Sequence, residues 1–171
     1  ADPDDRAKTE ECLTKIAYSS KYLLSIINDV LDMSAIESGK ISITREPFDL
    51  ARLLTEPGAV YESQCASRGV QFALTNDLSE EHLIGDQVRL NQILHNLLSN
   101  AVKFTPAGGR VRLEVGQTGQ QGVYRQLCFT VSDTGIGMDE GFQKRMYLPF
   151  EQDPHAGVLR QGGTGLGLAI V

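Results

Sequence analysis

The chain has 171 residues, of which 41% are hydrophobic and 22% charged, and its formal net charge is −6 at pH 7. This composition predicts a globular protein of one domain, or one domain with an appended element. No apolar run approaches the roughly 18 residues of a membrane span, and the negative charge argues against a general nucleic-acid binder. The 3 cysteines form no Cys-x-x-Cys pair, so neither a disulfide framework nor a zinc site is expected, and a reducing cytoplasm fits best.

The first segment has the apolar spacing of one long helix. Acidic residues after Pro3 suit the positive end of a helix dipole, and apolar side chains recur every three or four residues as far as Ile36. A helix of about 32 residues would be on the order of 48 Å long. We expect residues 1–39 to be half of a helical hairpin that dimerises into a four-helix bundle, the alternative being one helix packed on its own domain. Gly39 is the expected C′ residue.

A domain boundary is expected at residues 40–48, which we interpret as a linker, and residues 49–171 are expected to form the second domain. The next helix can be capped by Asp49, and Pro57 ought to kink or break it. Alternating apolar residues after Gly69 then predict a strand.

The helix that begins at Gly85-Asp86 has an apolar stripe and a second, polar face. On the polar face Asn96, Asn100 and Lys103 lie within about 60° of one another. An amide oxygen is a hard ligand suited to Mg²⁺, which fills its other positions with water and phosphate oxygens. Lys103 would neutralise a phosphate. The alternative is an ordinary solvated face.

Two strands lead to the turn at Asp133. Alternating residues 111–115 predict the first strand, and residues 127–131 predict a second, buried one. Gly135 and Gly137 follow, and without Cβ atoms they allow the backbone to approach a flat ligand closely. A carboxylate that accepts a hydrogen bond from an exocyclic amine can recognise adenine. The alternative is a common Asx turn.

The last stretch is rich in glycine. Between Gln152 and Gln161 there is little periodicity, which predicts a mobile loop. Gly163, Gly165 and Gly167 then lead into an apolar helix, where backbone N–H groups and the helix dipole would attract an anion. The segment is not a P-loop, because Gly-Lys-Ser/Thr is absent, and no strand–helix series of a dinucleotide fold surrounds it. Together with the polar helix face and the strand-end carboxylate, it predicts metal, adenine and phosphate contacts in one domain.

Four motifs, in this order, resemble those of sensor histidine kinases. Residues 96–104 are similar to the N box, 133–137 to the G1 box, 148–150 to the F box and 163–167 to the G2 box. Residues 27–40 resemble the second helix of the dimerisation and phosphotransfer hairpin, in the style common in hybrid sensor kinases. The resemblance covers nearly the whole chain.

This resemblance implies an α+β fold of the Bergerat type, an α/β sandwich in which helices face a mixed sheet. It also implies that ATP and Mg²⁺ bind between the N-box helix and the lid loop. Asn100 and Asn96 would serve the magnesium ion, Lys103 the phosphates and Asp133 the adenine amine, with Arg160 of the loop as a partner of the γ-phosphate. The implied ATP-binding residues are Asn96, Asn100, Lys103, Phe104, Asp133, Gly135, Gly137, Phe150, Gly163, Thr164, Gly165, Leu166 and Gly167.

The implied activity is that of an ATP-dependent protein-histidine kinase in a two-component system, in the cytoplasm or in the cytoplasmic part of a membrane-anchored sensor. The implied partners are a histidine-bearing hairpin helix, a second copy of the chain and a response-regulator receiver domain. His82, His95 and His155 all lack the sequence context of the family's phosphorylated histidine. The acceptor is therefore expected outside this sequence. The chain also stops just after the G2 box, so the C-terminal part of the sheet is expected to be missing.

Two other functions remain open from the sequence. Related ATPases of the gyrase, heat-shock-chaperone and mismatch-repair kind carry a glutamate one helical turn before the magnesium asparagine, as the general base for water. Asn96 occupies that position here, and an amide is no useful base, so hydrolysis is disfavoured. A non-catalytic, dimerising nucleotide-binding module is the other alternative, because the acceptor histidine is absent.

Overall fold

The computed structural model describes residues 3–78, 82–153 and 163–171. The chain divides into two compact units, residues 1–41 with Ile170 and residues 42–169 with Val171. The elements in chain order are α1 (Pro3–Glu37), β1 (Glu46–Asp49), α2 (Leu50–Ser67), β2 (Gln71–Asn76), β3 (His82–Gly85), α3 (Gln87–Phe104), β4 (Arg110–Gln121), β5 (Tyr124–Asp133), α4 (Glu140–Gln143) and α5 (Gly167–Ile170).

The first unit is built on α1, which ends in a Schellman motif. Gly39 has a φ of 64°, its N–H donates to Ile36 O at 3.0 Å, and Lys40 N donates to Ala35 O at 2.9 Å. Gly39 is thus the C′ residue, as predicted. None of the helices in the described part of the chain is long and apolar enough to cross a membrane. Large apolar side chains of α1 that are more than two-fifths exposed are Leu13, Ile16, Tyr18, Tyr22, Leu23, Leu24, Ile27, Val30 and Leu31.

A small two-stranded sheet occupies the end of the segment that we expected to be linker. Strand β1 pairs antiparallel with β3, in a register from Glu46–Gly85 to Asp49–His82. The sequence analysis did not predict β3, which is only four residues long. Just before β1, Thr44 N donates to Asp86 Oδ2 at 2.9 Å. The chain is therefore joined to the start of α3 before β1 begins.

Helix α2 begins as predicted and continues where a break was expected. Asp49 is its N-cap, accepting from Arg52 N at 3.0 Å. Pro57 lies inside a continuous helix, so the chain does not break there. Buried residues lie on both sides of Pro57, and a Cβ at Gly58 would be 3.2 Å from Leu74 Cδ1. Burial in the core on both sides of Pro57 holds the helix together, despite the N–H that proline lacks.

The larger sheet has the strand order β2-β4-β5, with β2 parallel and β5 antiparallel to β4. The predicted alternation of β4 is confirmed: Val111, Leu113 and Val115 are at most 2% exposed. Residues 127–131 were expected to be buried, but in β5 only alternate side chains turn inward. Among the described strands β5 pairs only with β4, and its inward residues pack on the core from one face.

Helices α2 and α3 supply most of the core that covers this sheet. Thr105, at the C-cap of α3, is buried, and its hydroxyl donates to Ala101 O at 2.7 Å. Helices on a mixed sheet make the domain α+β, as predicted. The buried core residues are Leu50, Leu53, Leu54, Tyr61, Cys65, Val70, Leu94, Leu98, Ala101, Val102, Val111, Leu113 and Val115.

Candidate functional site

The polar face of α3 is set by the cap at its start. Asp86 is the N-cap, and its Oδ1 accepts from Arg89 N at 3.0 Å. Hydrogen bonds to backbone N–H groups stabilise the ionised form, so the pKa of Asp86 lies below its usual value. Farther along the helix Asn96, Asn100 and Lys103 are each half-buried. The three side chains predicted to share one helical face thus all lie on α3.

The ammonium group of Lys103 is partly buried. Burial lowers the pKa of Lys103, and its Nζ lies 4.8 Å from the centre of the Phe104 ring. Its main-chain carbonyl accepts from the Arg68 guanidinium at 3.2 Å, which ties this end of α3 to the end of α2. A cation in such surroundings attracts an anion more strongly than one in open water.

Asp133 ends β5 and forms the Asx turn that the sequence left open. Its Oδ1 accepts from Gly135 N at 2.8 Å. A Cβ at Gly135 would lie 2.6 Å from Phe104 O, so only glycine fits where this turn meets the end of α3. Ile136 N also donates to Phe104 O, at 3.4 Å. The Asx turn occupies one carboxylate oxygen and leaves the other as an acceptor.

Backbone and hydroxyl bonds attach this turn to the loop before β4. Thr134 N donates to Arg110 O at 3.0 Å, and Thr134 Oγ1 accepts from Arg110 N at 2.9 Å. A Cβ at Gly109 would lie 2.9 Å from the same hydroxyl oxygen. Sequence reasoning missed Thr134. The only available signal was its place inside the G1 motif, because its partner is 24 residues away.

The glycine-rich segment is held through its carbonyl groups. Gly165 has a φ of 72°, and a Cβ there would lie 2.7 Å from Phe150 C. Phe150 itself has a φ of 65°, which is uncommon for a residue other than glycine. Three hydrogen bonds hold the segment: Gln152 Nε2 to Gly163 O at 2.7 Å, Phe150 N to Gly165 O at 2.9 Å, and Asn96 Nδ2 to Gly167 O at 3.0 Å.

The same segment lies beside the lysine of α3. A Cβ at Gly163 would be 3.1 Å from Lys103 Nζ. Thr164 Oγ1 accepts from Leu166 N at 3.2 Å, and the Leu166 side chain is fully buried, so this leucine could meet a ligand only through its backbone. These contacts bring the N-box helix and the G2 box together. The G1 box joins them at the end of α3.

The remaining predicted residues are placed less directly. Asn100 lies one helical turn beyond Asn96, and Gly137 has a φ of 69° in an exposed part of the G1 turn. The Phe150 side chain is 66% exposed, so in this structure it does not line a closed pocket. Arg160, and the predicted loop from residue 154 onward, lie outside the described residues.

The donor set fits a magnesium nucleotide better than a metal held by protein alone. Within residues 3–78, 82–153 and 163–171, no group of three or more His, Cys, Asp or Glu side chains could hold a metal ion. Mg²⁺ does not need such a cluster, because one or two protein oxygens and the substrate phosphates suffice. The amide oxygens of α3 are of that kind.

His95, next to Asn96 in the sequence, is held by a neighbouring helix. The Tyr61 hydroxyl lies 2.6 Å from His95 Nδ1 and donates to His95 O at 3.3 Å. Burial raises the pKa of Tyr61 to about 12, so the hydroxyl stays protonated at neutral pH. This pair joins α2 to α3, which gives His95 a structural role.

Residues 85–171 match the family described as Histidine kinase-, DNA gyrase B-, and HSP90-like ATPase. The chain belongs to this family. The matched residues begin at the end of β3 and include α3, the larger sheet from β4 onward, and all four motifs.

Several known proteins similar to this chain are histidine kinases. The chain is 37% identical over 172 residues to the autoinducer 2 sensor kinase/phosphatase LuxQ of Vibrio harveyi, which is 99% of this chain but 20% of LuxQ. The crystal structure of full-length ShkA in complex with AMPPNP aligns with a TM-score of 0.73 and 31% identity, covering 95% of this chain and 32% of ShkA. A complex of histidine kinase ThkA with response regulator TrrA aligns with a TM-score of 0.59 and 19% identity, covering 89% and 42%.

These comparisons confirm two predictions from the sequence. The fold is that of histidine kinase catalytic domains, the Bergerat-type α+β fold. The resemblance to sensor histidine kinases is also confirmed, and this family member carries a catalytic domain of the histidine kinase type.

Proposed function

We propose that this chain binds ATP with Mg²⁺ and transfers the γ-phosphoryl group to a histidine on another segment or chain. The observation that carries the proposal is the convergence of Lys103, the Asp133 turn and the glycine-rich segment on one helix, α3. The similarity to ShkA, whose structure is in complex with AMPPNP, supports a triphosphate ligand.

Each predicted residue then has a proposed role. Asn100 offers an amide oxygen to the magnesium ion, with Asn96 as a second candidate, and Lys103 faces the phosphates. The second oxygen of Asp133 accepts a hydrogen bond from the adenine amine, next to the bare backbone of Gly135 and Gly137. Bound magnesium would neutralise charge on the phosphate oxygens. The backbone of residues 163–167 is expected to bind the phosphates, with Phe104 and Phe150 beside the pocket.

The protein's contribution to such a transfer is mostly geometric. In phosphoryl transfer, catalysis comes from positioning the reactants and stabilising charge, and no covalent protein intermediate is needed. Burial around Lys103 supports this role, because a desolvated ammonium stabilises phosphate charge more strongly than a hydrated one. Arg160 is proposed as an additional partner of the γ-phosphate.

The acceptor histidine and the other partners belong to the proposal. The exposed apolar stripe of α1 supports a role for residues 1–39 as one helix of a dimerising, histidine-bearing hairpin. Residues 40–48, the last of which form part of β1, are proposed as linker and 49–171 as catalytic domain. Like ThkA, which is in complex with a response regulator, the protein is proposed to pass the phosphoryl group to a receiver domain in the cytoplasm.

One observation weighs against the ATPase alternative. Asn96 has no basic group for activating water, and its side-chain nitrogen already donates to Gly167 O. The non-catalytic regulatory module remains an alternative, since it differs from the kinase only in that it does not transfer the phosphoryl group.

Binding and transfer are tested separately. Calorimetry with ATP and Mg²⁺ measures binding, and we expect Asn100→Ala to remove the Mg²⁺-dependent part of the affinity. Asp133→Asn is expected to lower the preference for ATP over GTP by about tenfold, because it weakens one charged hydrogen bond. The site assignment is wrong if both variants bind ATP like the parent.

Transfer is measured by incubating the chain with γ-labelled ATP and a separate histidine-bearing hairpin. Label on the hairpin supports the kinase. Binding without label on the hairpin favours the regulatory module, and steady release of labelled phosphate without the hairpin favours an ATPase.

A further inference from the structure

Three hydrogen-bond donors hold the glycine-rich segment, one from α3 and two from residues 150–152. One donor is the Asn96 side chain on α3, another is the backbone of Phe150, and the third is the side chain of Gln152. Their acceptors are the carbonyl oxygens of alternate residues, all glycines. Every glycine of the Gly-x-Gly-x-Gly pattern is therefore bound through its carbonyl, and we call these three bonds the carbonyl clasp.

At one of the three glycines, Gly165, the neighbouring backbone can come close only because there is no side chain. A Cβ at Gly165 would lie 2.7 Å from Phe150 C and 2.9 Å from Glu151 O. At Gly167 a Cβ would be 3.5 Å from Asn96 Cγ, which is ordinary contact. The glycine pattern is thus required by the clasp at Gly165, in addition to any requirement of a ligand.

Holding a carbonyl fixes the direction of an amide. No cis peptide bond occurs in the described residues, and in a planar trans peptide the C=O and the next N–H point in opposite directions. The carbonyls of Gly163 and Gly167 share their peptide planes with the N–H groups of Thr164 and Leu168. Binding each of these carbonyls therefore also fixes the N–H group of the same peptide plane, which points away from the donor.

We propose that Asn96 and Gln152 are positioning residues of the nucleotide site, which orient the amides of the glycine-rich segment through the carbonyl clasp. Asn96 acts through its donor Nδ2, whereas Asn100 supplies the amide oxygen for magnesium. This assignment rests on the proposed function, and it narrows the role of Asn96. Gln152 lies outside all four motifs.

Isosteric substitutions separate a donor from an oxygen ligand. Asn96→Asp and Gln152→Glu keep the shape and an oxygen but remove the N–H that reaches the carbonyl. Asn100→Asp is the matched control, because it introduces the same charge one helical turn away and retains a metal-ligating oxygen. Gln152→Met removes the donor without adding charge, and Gln152 is exposed, so its variants should fold.

Amide hydrogen exchange of residues 163–171, measured without nucleotide, reports on the clasp directly. We expect Asn96→Asp, Gln152→Glu and Gln152→Met to speed exchange in this peptide by about threefold to tenfold, the equivalent of one lost hydrogen bond. Asn100→Asp should exchange like the parent. The proposal is overturned if the Asn96 and Gln152 variants also exchange like the parent, or if Asn100→Asp speeds exchange equally.

Calorimetry with ATP, in Mg²⁺ and in EDTA, reports on the division of labour between the two asparagines. Asn96→Asp and Gln152→Met are expected to weaken binding about threefold to tenfold in both conditions. Asn100→Asp should alter mainly the Mg²⁺ measurement, and its loss in EDTA measures the effect of added charge alone. If Asn96→Asp binds ATP with the same Mg²⁺-dependent affinity as the parent, then the oxygen at position 96 is what binding requires. This result would contradict the proposal. If the parent binds no ATP while exchange responds as expected, the proposed function fails and the clasp stands.

Discussion

The two sides of the candidate site are held in place in different ways. The Asp133 turn is held mainly by backbone: it continues a ten-residue strand, and main-chain bonds join it to Phe104 O and Arg110 O, with the Thr134 hydroxyl as a further contact. The glycine-rich segment is held mainly by side-chain amides from Asn96 and Gln152. A turn built into a sheet can move only if the sheet moves. The clasped segment can be released by breaking a few hydrogen bonds, which makes it the adjustable side.

The largest expected effect comes from breaking the rigid side. In Gly135→Ala the new Cβ would lie 2.6 Å from Phe104 O and 2.7 Å from Asp133 Oδ1, so strand end and helix end must separate. We expect the free energy of unfolding to fall by about 2–3 kcal/mol, measured by urea denaturation. Gly116→Ala, in the same sheet with nothing within 4 Å of the added Cβ, is the control. Equal stabilities of the two variants would contradict the comparison.

A smaller global effect is expected on the adjustable side. Gly165→Ala places a Cβ 2.7 Å from Phe150 C at a φ of 72°. Local release of residues 163–171 can relieve this strain, so the unfolding free energy should fall by only about 1 kcal/mol while ATP affinity falls at least tenfold. Gly122→Ala is the control: its φ is 59° and the added Cβ has no close neighbour, so it measures only the free-energy cost of the backbone conformation. A global loss as large as that of Gly135→Ala would show that both sides are equally rigid.

The smallest effect concerns the start of α3, the helix that both sides share. Two backbone N–H groups, of Arg89 and Thr44, hold the pKa of Asp86 below its usual value. Its stabilising contribution is therefore complete above the unfolded value of about 3.9 and is lost as pH falls through the lower folded value. Asp86→Ser keeps a helix cap but cannot serve both donors, so it should lose less stability than the parent between pH 7 and pH 3.

Urea midpoints at the two pH values test this difference. Asp77→Ser, which removes an exposed carboxylate elsewhere, controls for overall charge. If Asp86→Ser loses as much stability as the parent between pH 7 and pH 3, the stabilising role of the hydrogen bond from Thr44 N to Asp86 is contradicted.

The sequence analysis predicted features that depend on residues close together in the chain better than features that depend on distant residues. The cap at Asp49, the start of α3 at Asp86 and the helix end at Gly39 were predicted correctly, because each depends on residues within five positions. The burial expected for residues 127–131 was wrong in part, because it depends on which strands lie beside β5.

The candidate site shows the same division. Its motifs were visible in the sequence, since each box is a short run of residue types suited to a phosphate, a metal ion or an aromatic ring. The roles of Thr134 and Gln152 were not visible, because their partners are 24 and 11 residues away and nothing in the local pattern selects them. The family comparisons confirm the fold and the kinase relationship, and the individual site residues stay predictions.

The amino-acid sequence by itself determined the end of α1, the starts of α2 and α3, the alternation of β4 and the four motifs, since these follow from local capping, periodicity and residue chemistry. Only the tertiary structure decided that β1 pairs with β3, that α2 continues through Pro57, and that Asn96 reaches Gly167 over a separation of 71 residues. Those contacts depend on which surfaces the folded chain brings together, and a local pattern carries no information about a partner so far along the chain.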